Sequence, residues 1–265
     1  MIYIVPKPTD TPDDNSTGMV INALKERDYP YELLDLDTID PFSPDIAKET
    51  IWVCGIRQDG VQFEVINALA LSNRMINDPQ AIAICASKAQ TTARLLLAGV
   101  PTPDTMFSGS LTEVQRFLTR HKKAVYKPLY GYDGNGIFPF TEISELSEGP
   151  YYIQEFVKND RDYRVFVIGG VAVGAIVRVS DGFAHNIHQG GVGTALTELP
   201  DAMKKVAEAA ARAVGIDYCG VDLLEQGTGY TVLEVNGTPN WHCMKAPIPE
   251  LLAEYLIREG AVARI

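Results

Sequence analysis

Residues 218–236 read YCGVDLLEQGTGYTVLEVN, and this stretch decides the fold of the second half of the chain. Leucine, β-branched and aromatic residues fill both of its ends, which predicts two strands. The three small residues in the middle, Gly227-Thr228-Gly229, predict a tight hairpin connection between them. A loop of all three residues places Gln226 opposite Tyr230.

Two carboxylates and an amide share one face of this predicted hairpin. Counting outward from the loop places Asp222 opposite Glu234, and Asn236 lies two residues beyond Glu234 on the same face. Opposed like charges destabilise a sheet unless a cation lies between them. Carboxylate and amide oxygens suit a hard divalent ion, and Mg²⁺ commonly keeps waters and substrate phosphates as further ligands. The alternative is an exposed acidic hairpin, which the flanking apolar residues disfavour.

Strand and helix patterns change along the chain. Residues 1–80 alternate strands (2–5, 31–36 and 51–54) with helices (from Ser16 and at about 61–71), which predicts a small parallel sheet. From residue 151 the segments YYIQEFV, DYRVFVIGG and VAVGAIVRV are strands. A helix over 198–214 ends at Gly215, and the last helix covers about 249–259.

The middle of the chain connects these two regions. Ser87 caps a helix that Gly99 closes, and residues 111–120 form an amphipathic helix before the strand Ala124–Lys127. Asn77-Asp78-Pro79 is a turn and 101–105 a linker. The pattern predicts a mixed α/β (α+β) fold of three consecutive sub-domains, over 1–83, 84–150 and 151–265.

A glycine-rich segment, GYDGNG at 131–136, follows the strand that ends at Lys127. A dinucleotide fingerprint needs G-x-G-x-x-G and then a helix, whereas this segment has the order G-x-x-G-x-G and precedes the strand-like IFPF. A Rossmann site is therefore disfavoured. Two interpretations stay open: a hairpin loop whose backbone N–H groups cover phosphates, and a plain turn.

Four cations lie in positions that an anionic ligand could use. Lys127 ends a strand, and Lys88 begins a helix, whose N-terminus favours an anion. Arg164 and Arg178 lie on strands joined through Gly169-Gly170. A two-residue turn there places the arginines on opposite faces, and a three-residue turn places them on the same face.

Competing kinds of site find less support. His185, His188, His242 and Cys243 could suggest zinc, but HNIHQGG is a glycine-rich loop and no second ligand pair has the required spacing. A serine hydrolase would need a G-x-S-x-G elbow, which the sequence lacks.

Composition excludes several classes of protein. The 265 residues are 46% hydrophobic and 22% charged, which is typical of a globular chain and not of a disordered, collagen-like or coiled-coil one. The net charge of −11 disfavours binding to nucleic acid, and no apolar run is long enough to span a membrane. The N-terminal residues suggest a strand and not a signal peptide. Four dispersed cysteines suggest reduced thiols in the cytoplasm.

The ordered set of motifs resembles the ATP-grasp superfamily, and within it the RimK-type α-L-glutamate ligases. The resemblance covers roughly residues 75–240 and is weakest over 1–75. It rests on the following features in order: Asn77-x-Pro79-x-Ala81-Ile82, Lys88, Lys127 with its glycine loop, Gln154-Glu155-Phe156-Val157, Asp162-Tyr163-Arg164, Arg178, Asn186-Ile187-His188-Gln189-Gly190-Gly191, Gly220-Val221-Asp222 and Glu234-Val235-Asn236.

The resemblance implies an ATP site between the central and C-terminal sub-domains. It assigns Lys88 and Lys127 to the phosphates, under a loop that includes Gly131, Asp133, Gly134 and Gly136. It places Glu155 and Val157 on the segment that brackets the adenine, counts Gln154 and Phe156 among the cofactor-binding residues, and assigns Asp162 to the ribose. Asp222, Glu234 and Asn236 would carry two Mg²⁺ ions, or Mn²⁺. Arg178 would face the transferred phosphoryl group, with Arg164 and Asn186 toward the acceptor carboxylate.

The implied activity is an ATP-dependent carboxylate–amine ligase that forms an amide through an acyl phosphate. The acceptor would be a tetrahydromethanopterin-like cofactor or a protein C-terminus, and the amine an amino acid such as glutamate. The sequence departs from the glutamate ligases at Gly237–Met244 and at Ala184, both on the expected substrate side. Trp241 in the first of these segments is either an acceptor contact or a core residue. A non-catalytic ATP-binding module, an ATP-grasp kinase or carboxylase subunit, and a homo-oligomer stay open.

Overall fold

A computed structural model describes residues 1–12, 14–43, 45–57, 60–129, 135–180, 192–241 and 243–262. Its N-terminal sheet is parallel, as predicted, with strand order β2-β1-β3-β4. Helices α1 and α2 connect its strands. The elements are β1 (Ile2–Val5), α1 (Ser16–Lys25), β2 (Tyr31–Leu33), β3 (Thr50–Val53), α2 (Val61–Ala70) and β4 (Arg74–Ile76).

Two short helices follow this sheet, α3 (Pro79–Ala86) and α4 (Lys88–Leu97). The turn predicted at 77–79 is instead the start of α3: the Asp78 carboxylate accepts hydrogen bonds from Gln80 N and Ala81 N. An aspartate before a proline at the first helical position is a start signal that the sequence did contain. The predicted cap of α4 is confirmed, because Ser87 Oγ accepts from Gln90 N at 3.3 Å.

The central sheet is antiparallel, in the order β5-β8-β6-β7, with helix α5 against one face. Its first strand begins at the last residue of the predicted linker, and β8 lies between β5 and β6. The proposed boundary at residue 151 was therefore wrong for β8, which belongs to the central sheet. The elements are β5 (Thr105–Ser108), α5 (Leu111–His121), β6 (Ala124–Lys127), β7 (Phe138–Phe140) and β8 (Tyr151–Glu155).

The C-terminal sheet is also antiparallel, in the order β11-β10-β9-β12-β13. Helix α6 packs against one face and ends at Gly215, whose backbone is left-handed (φ +74°), as predicted. The last helix, α7, runs past its predicted end at Gly260. The elements are β9 (Asp162–Ile168), β10 (Val171–Val179), β11 (Val192–Ala195), α6 (Asp201–Val214), β12 (Tyr218–Gln226), β13 (Gly229–Asn236) and α7 (Ile248–Val262).

The β12–β13 hairpin reaches the predicted pairing by a different route. Its loop has two residues, because Gln226 pairs with Gly229, so the predicted three-residue loop was wrong. A β-bulge then inserts one extra residue, Leu233, and restores Asp222 opposite Glu234. The predicted opposition of the two carboxylates is confirmed.

A second bulge decides the placement of the arginines. The β9–β10 turn is the two residues Gly169-Gly170, which alone would put Arg164 and Arg178 on opposite faces. An irregularity between Ala172 and Gly174 shifts the register by one residue, so that Arg178 pairs with Asp162. A one-residue shift moves a side chain to the other face, and both arginines now share the face of Asp222.

The N-terminal sheet is held against the C-terminal sheet by a shared core that also includes α1 and α7. Asn77 is fully buried and connects the two sheets by hydrogen bonds. Its Nδ2 donates to Tyr218 O (2.8 Å) and Gly237 O (2.7 Å), and its Oδ1 accepts from Asp217 N and Tyr218 N. These hydrogen bonds fix the start of β12 and the end of β13, where Asn236 lies. Within the described ranges, no helix combines the length and apolarity needed to cross a membrane.

Candidate active site

Asp222 is the centre of a buried charge cluster on the C-terminal sheet, and it is 2% exposed. Arg164 binds it through both nitrogens, with Nε to Oδ1 at 2.7 Å and Nη2 to Oδ2 at 2.8 Å. Arg178 adds a third contact from Nη2 to Oδ2 at 2.9 Å. The arginines differ in access, because the side chain of Arg164 is 18% exposed and that of Arg178 is 3% exposed. Arg164 is therefore the more accessible of the two arginines.

The two opposed carboxyl groups differ in ionisation. Burial alone would raise the pKa of Asp222, but the charges of Arg164 and Arg178 outweigh it and hold that pKa well below its usual range. Glu234 shows the opposite effect: burial, followed by the charge of Asp222 and a hydrogen bond with it, raises the pKa of Glu234. A cation placed between the groups would favour ionisation of Glu234.

The donor set around this pair fits a magnesium ion. Asn236 Nδ2 donates to Gly220 O (3.2 Å) and lies 3.4 Å from Glu234 Oε1, so the amide stands beside the carboxylates and leaves its own oxygen as a ligand. Each oxygen of Asp222 can accept more than one bond. No group of three or more His, Cys, Asp or Glu side chains is arranged for a metal in the described part of the chain. An ion at this pair would therefore need the Asn236 amide as well as the two carboxylates.

The charge of Glu234 acts on the pKa of two lysines that lie on other elements, Lys127 and Lys88. Burial lowers the pKa of Lys127, at the end of β6, to about 8, while Glu234 acts in the opposite direction. Burial also lowers the pKa of Lys88, at the start of α4, and Glu234 again opposes it. Both ammonium groups are half-buried and close enough to each other for the charge of Lys88 to lower the pKa of Lys127. The structure thus brings both predicted phosphate ligands beside the carboxylate pair.

The face of the central sheet that carries Lys127 also carries Gln154. Lys127 pairs with Tyr152, two residues before Gln154 on β8. Gln154 Nε2 donates to Thr105 Oγ1 at 3.0 Å, and the Thr105 hydroxyl itself donates to Pro103 O at 2.7 Å. This fixes the orientation of the amide, because Thr105 can only accept. Gln154 Oε1 is buried and has no hydrogen-bond partner among the residues that the structure describes.

The side chain of Glu155 fastens the edge of the cleft instead of entering it. Its Oε1 accepts from Gln226 Nε2 at 2.9 Å and from Asp104 N at 3.2 Å, and its Oε2 lies 3.6 Å from His121 Nδ1. Gln226 is at the tip of the β12–β13 hairpin. The contact therefore links the end of β8 to the C-terminal sheet.

The remaining residues predicted to border adenine lie just beyond Glu155. The Phe156 ring lies under Lys123 Nζ at 3.9 Å, and Val157 O accepts from Asn159 Nδ2 at 2.8 Å.

Asp162 has surroundings that differ from those expected, whereas Trp241 has the surroundings of one of its two interpretations. Asp162 is buried and binds Arg178 through both oxygens, at 2.6 and 3.0 Å, so a ribose contact would compete with this ion pair. Trp241 is 8% exposed and packs edge-on against Phe166, with ring centroids 6.1 Å apart. The structure therefore supports the core interpretation of Trp241.

Several predicted residues lie outside the described residues. They are Gly131, Asp133, Gly134, Asn186, and the histidines 185, 188 and 242. Gly136 is described, with φ +71°, and a Cβ there would lie 2.9 Å from Pro128 Cγ, so a side chain is excluded. The sequence reasoning missed Gln226 and the partnership of Asp162 with Arg178. The polar residue at the hairpin tip was a visible signal for the first, whereas the second needed the strand register.

The family model of the RimK-like ATP-grasp domain matches residues 85–258 of the chain. The chain belongs to the RimK-like ATP-grasp family. It is 32% identical to the tetrahydromethanopterin:α-L-glutamate ligase of Methanosarcina acetivorans, over 86% of this chain and 90% of the relative. It is 34% identical to the enzyme of the same name from Methanocaldococcus jannaschii, over 68% of this chain and 67% of the relative. The expected enzyme class, a carbon–nitrogen ligase, is confirmed.

The fold of this ATP-grasp chain also matches solved structures. The ATP-grasp ligase PsnB, solved with a minimal precursor, Mg and ADP, superposes with a TM-score of 0.77 at 21% identity, over 98% of each chain. The likeness confirms the predicted ATP-grasp fold. ATP-grasp ligases use ATP and Mg²⁺, which agrees with the expected cofactors.

Proposed function

We propose that this protein joins glutamate to a carboxylate of a tetrahydromethanopterin-like cofactor, using ATP. The observation that carries the proposal is the carboxylate pair Asp222 and Glu234, surrounded by Arg164, Lys88 and Lys127. The choice of acceptor and amine is supported by the names of relatives that are about one third identical over most of their length.

The reaction needs no covalent nucleophile from the protein. An oxygen of the acceptor carboxylate attacks the γ-phosphorus of ATP, and the bond to ADP breaks, which gives an acyl phosphate. The glutamate nitrogen then attacks the acyl carbon, inorganic phosphate leaves, and the nitrogen loses a proton. Positioned cations that neutralise the phosphoryl charge supply the catalysis.

The nucleotide would lie between the central and C-terminal sheets. Lys88 and Lys127 would hold its phosphates, under the loop at 131–136, and the segment 154–157 would border the adenine. The unpartnered Gln154 Oε1 is an acceptor, which suits the exocyclic amino group of adenine and rejects the carbonyl oxygen that guanine presents there. Asp162 would act by holding Arg178, which engages both of the oxygens that a ribose contact would need.

Asp222, Glu234 and Asn236 would hold magnesium, with two ions as the proposed number. The metal would supply charge neutralisation at the phosphates. Arg164 would meet the acceptor carboxylate or the phosphoryl group, because it is the more exposed of the paired arginines. Arg178, fully enclosed by Asp162 and Asp222, would keep Asp222 in place.

A direct assay tests the proposal. The purified protein is incubated with ATP, Mg²⁺, L-glutamate and tetrahydromethanopterin, and the product is analysed by mass spectrometry. We expect ADP, phosphate and a cofactor enlarged by one or more glutamyl residues. The Glu234→Gln variant is the matched control, since it retains the shape of the site and loses one metal ligand.

Three other outcomes would contradict parts of the proposal. Ligation of glutamate only to a peptide C-terminus would keep the ligase and change the acceptor. ADP formation with a phosphorylated product would indicate a kinase. ATP binding without turnover for any acid and amine would indicate a non-catalytic module.

A further inference from the structure

Two buried oxygens have no hydrogen-bond partner among the described residues, and they lie on the sheet faces that carry Lys127 and the carboxylate pair. One is Gln154 Oε1, and the other is Thr231 Oγ1, whose residue is 1% exposed. Burying a hydroxyl without a partner costs free energy, so most buried polar groups are paired. An orphaned hydroxyl beside a binding site therefore points to a partner that arrives with the ligand.

The strand register places Thr231 on the same face of the C-terminal sheet as the carboxylate pair. Thr231 pairs with Leu224, which lies two residues from Asp222 on β12, so its side chain is on the face of the carboxylate pair. The opposite face, with Val232 and Val235, packs in the core beneath α6. Leu224 is buried but is not part of that core.

The position along the strand separates Thr231 from the phosphate end. Thr231 is three residues from Glu234, about 10 Å at the rise of an extended strand. In the other direction, Gln226 at the hairpin tip contacts Glu155 of the segment proposed to border the adenine. Thr231 thus lies between the carboxylate pair and the adenine edge, where the ribose and base of ATP would rest.

We infer that the Thr231 hydroxyl binds the nucleoside half of ATP, as a specificity residue on the side of the cleft opposite Gln154. The inference rests on the proposed function. A hydroxyl offers one donor and two acceptor positions, so it can pair with a ribose hydroxyl or with a ring nitrogen of adenine. In either case it contributes nothing to binding of the triphosphate alone.

This role predicts opposite effects on stability and on binding. Valine has the shape of threonine without the hydroxyl, so Thr231→Val removes an unpaired buried group from the free protein and raises its Tm. The same variant loses a hydrogen bond to the nucleotide. A hydroxyl that served packing or an internal hydrogen bond would not separate the two effects in this way.

The experiment compares three variants by calorimetry and thermal unfolding. Thr231→Val should weaken ATP binding about three- to tenfold, the size of one neutral hydrogen bond, and leave binding of inorganic tripolyphosphate unchanged. Thr231→Ser retains the hydroxyl and should bind ATP like the wild type. Thr50 provides a matched control, because its hydroxyl is equally buried and unpartnered but lies in the N-terminal sheet. Thr50→Val should leave ATP affinity unchanged.

Binding measurements with 2′-deoxy-ATP, 3′-deoxy-ATP and 7-deaza-ATP identify the atom of ATP that Thr231 contacts. The analogue that lacks this atom should bind equally well to the wild type and to Thr231→Val. Wild-type ATP affinity in Thr231→Val, an equal loss for tripolyphosphate, or a lowered Tm with weaker binding would each overturn the inference. Absence of ATP binding in the wild-type protein would instead contradict the proposed function itself.

Discussion

Asp222→Asn and Glu234→Gln should both abolish turnover but change stability in opposite directions. Asp222→Asn removes the negative charge that faces Arg164 and Arg178, and it replaces one of the two oxygens that accept their three contacts with a donor amide. Leaving a buried charge without its partner costs about 3–5 kcal/mol. For a chain of this size, that loss lowers Tm by roughly 10 °C. Arg178 keeps Asp162, so most of the cost falls on Arg164.

Glu234→Gln should instead leave the metal-free protein at least as stable as the wild type. The pKa of Glu234 is raised above its unfolded value, so its ionisation costs stability as pH rises, and glutamine removes that cost at neutral pH. Asp222 has a lowered pKa and contributes stability that is lost only in acid.

Calorimetry at pH 7.5 without metal, together with an ADP-release assay in Mg²⁺, measures both effects. Equal destabilisation by the two variants, or an Asp222→Asn protein as stable as the wild type, would refute this account of the charge cluster.

Three further predictions follow from other parts of the chain. ATP favours the charged form of Lys127, whose pKa is about 8, so the ATP affinity of the wild type should fall about tenfold between pH 7 and pH 9. The comparison is the Lys127→Arg variant, because arginine stays charged over this range. Parallel pH profiles of ATP affinity for the two proteins would contradict the prediction. Asn77→Ala should lower the free energy of unfolding by several kcal/mol in denaturant titrations, since each unpaired buried group costs about 1–3 kcal/mol. An unchanged unfolding midpoint would show that the hydrogen bonds of Asn77 do not hold the two sheets together. Trp241→Ala should cost about 3–5 kcal/mol of stability without separating the KM values of ATP and acceptor, whereas a selective rise for the acceptor would restore its binding role.

The order of elements and the nature of the site could be predicted from sequence, but the register could not. Asp222 lies opposite Glu234 because a shorter loop and an extra residue at Leu233 compensate each other. The arginines share a face because of a second irregularity near Val173. Both bulges lie where apolar residues follow one another, at Val232-Leu233 and at Val171-Ala172-Val173, so the alternation that would reveal a one-residue shift is absent there.

Contacts between distant segments were the other hidden feature. Strand β8 joins the central sheet through pairing with β5 and β6, and short apolar strands do not encode their neighbours. The same limit applies to Asp162, which as a lone carboxylate before a strand could have bound a ribose. Only the register opposite Arg178 shows that its oxygens are engaged.

The central claim, that the acceptor carboxylate is activated as an acyl phosphate, has a direct isotopic test. The acceptor acid is labelled with ¹⁸O in its carboxylate, and the inorganic phosphate formed with ATP, Mg²⁺ and glutamate is analysed by mass spectrometry. The account predicts that one ¹⁸O atom appears in phosphate for each amide formed, and that no ADP is formed without the acid. Unlabelled phosphate, or label in AMP, would contradict it.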